Sequence, residues 1–141
     1  MVVDCDVHES LLSALDLLPY VDAAFRDMLV ENARLTPPRH PYLVPTGGSR
    51  KDARRKDGTL GSQHLEQIQW QLLDAYGIGY AVLTGEFTHK LNGMPQQLYA
   101  AAMVSAYNDW LIDNMLAKDP RLLGSVAVVA QLPELAAREI D

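Results

Sequence analysis

One cysteine, two phenylalanines and two tryptophans are all that the 141 residues hold of those types. A single thiol, Cys5, closes no intrachain disulfide and builds no cysteine zinc cluster, so neither can staple this fold. No apolar run approaches the ~20 residues that a membrane span needs, which excludes a helical membrane protein. Met1-Val2-Val3-Asp4 lacks the basic and long apolar regions of an export signal, so the expected location is cytoplasmic. Positive charge is also short: twelve Lys+Arg face eighteen Asp+Glu, a net charge of −6, which argues against nucleic acid as a partner. With 48% hydrophobic and 21% charged residues, the composition suits one globular core rather than a disordered chain.

The scarce positive charge is concentrated. Residues 36–62 hold six of the twelve basic side chains (Arg39, Arg50, Lys51, Arg54, Arg55, Lys56) against Asp52 and Asp57. The same stretch carries Pro37, Pro38, Pro41, Pro45, Gly47, Gly48, Gly58 and Gly61, so it reads as a long basic insert. Loops of that length in compact domains are often functional. This one reads either as a plain solvated loop or as a loop that helps to bind an anionic substrate or to cover a site.

Around the insert, strands and helices alternate. Val2 to Val7 read as a strand. Leu11 to Ala33 read as helix in two pieces, broken at Pro19. Ser62 is a candidate cap for a helix whose apolar positions Leu65, Ile68, Leu72, Leu73 and Tyr76 recur at helical spacing up to Gly77. Tyr80 to Thr84 form a continuous apolar run, as in a buried parallel strand. Another helix covers about 95–117, with Met103, Ala106, Tyr107, Trp110 and Leu111 facing the core. Leu123 to Ala130 read as a third strand, and Pro133 opens a last helix. The order predicts an α/β fold with parallel strands. Three strands cannot close a barrel, and the last helix has no terminator, so a fragment is expected.

The chemistry is concentrated in Asp4-Cys5-Asp6-Val7-His8-Glu9. Strand alternation puts Asp4, Asp6 and His8 on one face and Val3, Cys5 and Val7 on the other. Two carboxylates and an imidazole facing an interior need a partner, and a divalent cation supplies one, since Asp oxygen and His nitrogen are ordinary zinc ligands. Asp6 and His8 are the expected metal ligands, and Asp4 is a structural hydrogen-bonding residue. Glu9 is expected to cap or contact a neighbouring loop. Cys5 is expected to pack as a small hydrophobe.

Val3-Asp4-Cys5-Asp6-Val7-His8-Glu9 resembles the first strand of the amidohydrolase superfamily, in the branch related to aminocarboxymuconate semialdehyde decarboxylase. Leu73-Asp74-Ala75-Tyr76-Gly77-Ile78 with Ala81-Val82-Leu83 is similar to that branch's next helix and strand. Ala106-Tyr107-Asn108-Asp109-Trp110-Leu111 with Asp119-Pro120-Arg121-Leu122-Leu123-Gly124 is similar to the helix leading into its third strand. The resemblance spans the chain outside 36–62. It implies that residues 1–141 are the N-terminal part of a metal-dependent (β/α)8 TIM barrel. The implied activity is that of a decarboxylase (a lyase) or hydrolase of a small carboxylate, using zinc or, second, manganese. Asp6 and His8 stand at the family's first-strand metal positions, usually His-x-His or Glu-x-His. The other ligands of that family lie on later strands, beyond this sequence, so the chain alone is expected to be catalytically silent.

Further candidates for substrate contact are Glu86 and His89, after the second strand, and His40, within the insert. His64 is expected to be exposed, Trp70 and Trp110 to pack, and Asn108 and Asp109 to hydrogen-bond structurally. Two alternatives stand beside the amidohydrolase reading. Asp4-Cys5-Asp6-Val7 also fits the opening of haloacid dehalogenase-like magnesium phosphatases, with Thr84 at their second motif. A non-catalytic partial barrel is the other. Open strand edges add the expectation of a homo-oligomer.

Overall fold

The computed structural model describes residues 1–34 and 51–141. Its elements run β1 (Val2–Val7), α1 (Arg26–Arg34), α2 (Leu65–Ile68), β2 (Ile78–Leu83), α3 (Thr88–Leu91), α4 (Gln97–Asn114), β3 (Leu122–Gly124) and α5 (Pro133–Ile140), with short 3-10 turns between several of them. The strands form one sheet in the order β1-β2-β3, and both pairings are parallel, as the strand–helix alternation predicts. None of the described helices is long and apolar enough to cross a membrane.

The two faces of the sheet differ sharply. Ala81 and Leu83 of β2 are fully buried, as is Leu122 beside Ala81 on β3. This is the helix-covered face, packed against α4, whose Met103, Ala106, Tyr107, Trp110 and Leu111 are all buried as their spacing predicts. On the opposite face Tyr80 is 40% exposed and Val3 and Leu123 are each 47% exposed. β1 is an edge strand, so of its apolar side chains only Val7 is buried. Cys5 is exposed rather than packed.

Several boundaries depart from the periodicity, each for a local reason. Leu11 to Ala33 divide into turns at Ala14–Leu17 and Ala23–Phe25 before α1 begins. Ser13 Oγ accepts from the Leu15 amide (3.1 Å) and Asp22 Oδ1 from the Ala24 amide (2.8 Å), so each cap starts its own turn. The third strand stops at Gly124 instead of reaching Ala130. Asn108 explains this: its side-chain amide donates to the Ala127 carbonyl at 2.9 Å and accepts from the Ala127 amide at 3.1 Å. A side chain on α4 therefore takes the backbone groups that a strand partner would use. Asn108 has the structural role expected of it. Ser62 is not a helix cap: it lies in the turn Gly61–Gln63, its Oγ 3.0 Å from Ser10 Oγ, and His64 precedes α2. α2 widens into a π-helical turn over Gln69–Asp74, and Gly77, at φ +62°, ends it. Trp70, expected to pack, is exposed.

Residues 36–50 of the basic insert lie outside the described residues. The rest of it is a tight structure rather than a long loop. Arg54 and Leu60 form an antiparallel bridge around a turn at Gly58, where φ is +87°.

Candidate functional site

The register along β1 decides which side chains share a face. Asp4 lies beside Ala81 and Val7 beside Leu83, so three steps on β1 match two on β2. The extra residue is a bulge that breaks the two-residue alternation. Asp4 pairs with the buried face, while Asp6 reaches Thr84 on the open one. The strict alternation that would have put Asp4 beside Asp6 and His8 is therefore corrected. The Asp4 carboxylate instead turns back to accept from the Asp6 amide at 3.1 Å. That local bond stabilises the bulge and gives Asp4 the structural part expected of it.

Asp6 and His8 do come together. His8 Nε2 lies 3.0 Å from Asp6 Oδ1, and both side chains are solvent-accessible. Thr84, directly after β2, donates its hydroxyl to the same Asp6 oxygen at 3.1 Å. The cluster therefore sits at the carboxyl ends of two adjacent parallel strands, where open α/β sheets and barrels gather ligands. Its donors are one carboxylate and one imidazole, a chemistry that suits zinc or manganese and supplies two of the four positions of a closed zinc site. Among the described residues no group of three His, Cys, Asp or Glu side chains is placed to hold an ion.

Behind this cluster is a residue whose part is larger than the sequence suggests. Glu9 is fully buried. Its carboxyl accepts from the Gly85 amide at 3.1 Å and from the Tyr107 hydroxyl, and its carbonyl accepts from the Glu86 amide at 3.2 Å. The expected loop contact is present, and α4 joins it. Burial pushes the Glu9 carboxyl above its ordinary range, against the lowering effect of the Glu9 and Gly85 backbone amides and of His8. Gly85 has φ +66°, and a Cβ there would overlap the Tyr107 hydroxyl. Glycine is therefore required where the loop passes over the ring. The 98-residue separation of Tyr107 from Glu9 leaves no sequence signal for this contact.

No family model matches the chain, and no curated protein matches it either.

The other candidates separate. Glu86 is exposed at the rim beside Ser10. His89 belongs to α3, immediately after that rim. His40 lies outside the described residues. His64, expected to be exposed, is half-buried: its Nε2 is 2.8 Å from Thr59 Oγ1, which donates to Asp57 at 2.6 Å. Arg55 of the basic insert is bound within the molecule, 2.9 Å from Glu66 and 3.7 Å from Asp57. Lys51, Arg54 and Lys56 are exposed. On the far end of the sheet, Arg121 binds Asp119 and Asp74, each at 2.7 Å. Its guanidinium holds the buried Asp119 carboxyl well below the usual carboxylate range. That network lies at the amino end of β3 and belongs to stability.

Proposed function

We propose that this chain contributes Asp6 and His8 to a divalent-metal centre of the amidohydrolase type, and that the sheet is the N-terminal part of a TIM barrel. The substrate class in this reading is a small carboxylate undergoing non-oxidative decarboxylation or hydrolysis. The observation that carries the reading is the convergence of Asp6 Oδ1 and His8 Nε2 at the carboxyl ends of β1 and β2. The resemblance of residues 3–9, 73–83 and 106–124 to that family supports it.

Each part of the chain then has a chemical role. Asp6 and His8 hold the cation, zinc foremost and manganese second. Thr84 fixes the Asp6 carboxylate through its hydroxyl, the outer-shell support that metal-binding carboxylates commonly need. A bound divalent cation supplies Lewis-acid polarisation of a substrate oxygen. Lys51, Arg54 and Lys56 add positive charge that draws a carboxylate towards an otherwise acidic molecule. Two ligands do not close the site, so the remaining donors come from outside these residues, and the isolated chain binds metal weakly.

The test is a zinc titration followed by calorimetry on the wild type, His8→Ala and Thr84→Val. His8→Ala should weaken binding at least about tenfold, and Thr84→Val about two- to threefold, within the range of outer-shell effects. Equal affinities in all three proteins would refute the assignment.

A further inference from the structure

We propose that the cavity beside the ends of β1 and β2 binds a small hydrophobic amine. Asp6, His8 and Thr84 are not among the described residues that line it, and the proposal does not rest on the metal reading. The cavity measures about 510 Å³, within the ~300–1,000 Å³ range of small-molecule pockets. Its floor is Leu29, Leu91, Tyr99 and Met103, each at most 4% exposed. Phe87 and Met94 complete the apolar wall. Such a floor favours an aliphatic or aromatic body, and the thioethers adapt to its shape.

The polar groups on the wall identify the head group. Ser13 and Gln63 are committed within the protein: Ser13 Oγ caps a turn, and Gln63 donates to the Leu11 carbonyl and accepts from the Leu60 amide, both at 2.7 Å. Ser10 Oγ meets Ser62 Oγ at 3.0 Å. Glu86 is the one charged side chain among the described wall residues, and no hydrogen bond or ion pair holds it there. An exposed carboxylate accepts and does not donate, so its complement is a donor, and a cationic donor forms the stronger bond. Phe87 and Tyr99 line the same cavity, and aromatic side chains are favourable neighbours for an ammonium group. The protein's net charge of −6 points the same way. An anionic head would instead meet Glu86 with like charge and, among the described wall residues, no cation, since Asn32 is neutral.

The proposal is tested with three isosteric probes, 4-phenylbutylamine, 4-phenyl-1-butanol and 4-phenylbutyrate, titrated at low salt in the presence of a metal chelator. Chemical shifts and calorimetry report binding. The amine should bind saturably and at least about tenfold more tightly than the carboxylate. Glu86→Gln should cut amine affinity about tenfold and leave the alcohol unchanged. Ala33→Trp, which fills the cavity from its wall, should weaken the amine and the alcohol together. The inference is overturned if the amine does not saturate, if the carboxylate binds as well as the amine, or if Glu86→Gln leaves amine affinity unchanged. The chelator keeps Asp6 and His8 out of the readout, so failure here leaves the metal centre standing, and failure there leaves this site standing.

Discussion

Replacing Gly85 by alanine tests the packing behind the Asp6–His8 cluster more sharply than any change to the cluster itself. Two costs combine at this position. Its φ of +66° lies in the left-handed region, which costs an L-residue roughly 1–2 kcal/mol. The new methyl would also overlap the Tyr107 hydroxyl, held in place by the buried Glu9 carboxyl. Forcing a group into a packed interior adds about 1–3 kcal/mol. The total is about 2–5 kcal/mol, a large part of the ~5–15 kcal/mol that a domain of this kind possesses. Gly77 supplies the control. Its φ is +62°, yet nothing lies within 4 Å of where its Cβ would stand. Gly77→Ala should therefore show the conformational cost alone, about 1–2 kcal/mol. Urea unfolding of both variants at neutral pH measures the difference. Equal losses, or a Gly85→Ala protein within ~0.5 kcal/mol of wild type, would show that the loop does not pass over Tyr107 as described.

Other outcomes follow from the charges and the open face. Because burial raises the Glu9 pKa in the folded state, the fold binds that proton more tightly than the unfolded chain does. This contribution to stability is full below the ordinary carboxyl value near 4.5 and is lost as pH rises through the raised one. Glu9→Gln should flatten that part of the pH–stability curve, as followed by thermal unfolding; an unchanged slope would place Glu9 in solvent. Asp119 has the opposite sign: its stabilising effect is present above the unfolded-state value of about 3.8 and fades as pH falls below it. Asp119→Asn should cost about 2 kcal/mol at neutral pH and less at pH 3, by urea unfolding at both values. Sedimentation should show self-association through the uncovered sheet face, and the pair Val3→Lys and Leu123→Lys should shift the protein towards monomer. A wild type that stays monomeric at high concentration would remove the homo-oligomer.

What could be read in the sequence was what repeats at short range. Three parallel strands, the helical face of α4 and the helix opened by Pro133 all follow from periodicity and caps within one element. The approach of Asp6 to His8 follows from their two-residue spacing across the end of β1. Features that depend on distant partners could not be read. The early end of β3 is set by Asn108 on α4, and the burial of Glu9 by Tyr107 on the same helix. The bulge that turns Asp4 away from Asp6 leaves no mark in Val3-Asp4-Cys5-Asp6, because it arises from the register against β2. His64 reads as an exposed helix start until the turn at Gly58 brings Thr59 onto it.

The metal centre is tested most directly by following the histidine ring resonances during a zinc titration. His8 and His64 each lie near a carboxylate, Asp6 at 3.0 Å and Glu66 at 3.9 Å, so the two rings compete as sites. Zinc should shift the His8 ring first, together with the Asp6 and Thr84 backbone amides, and His8→Ala should abolish those shifts. Zinc that shifts the His64 ring and leaves His8 unmoved would contradict the assignment of Asp6 and His8.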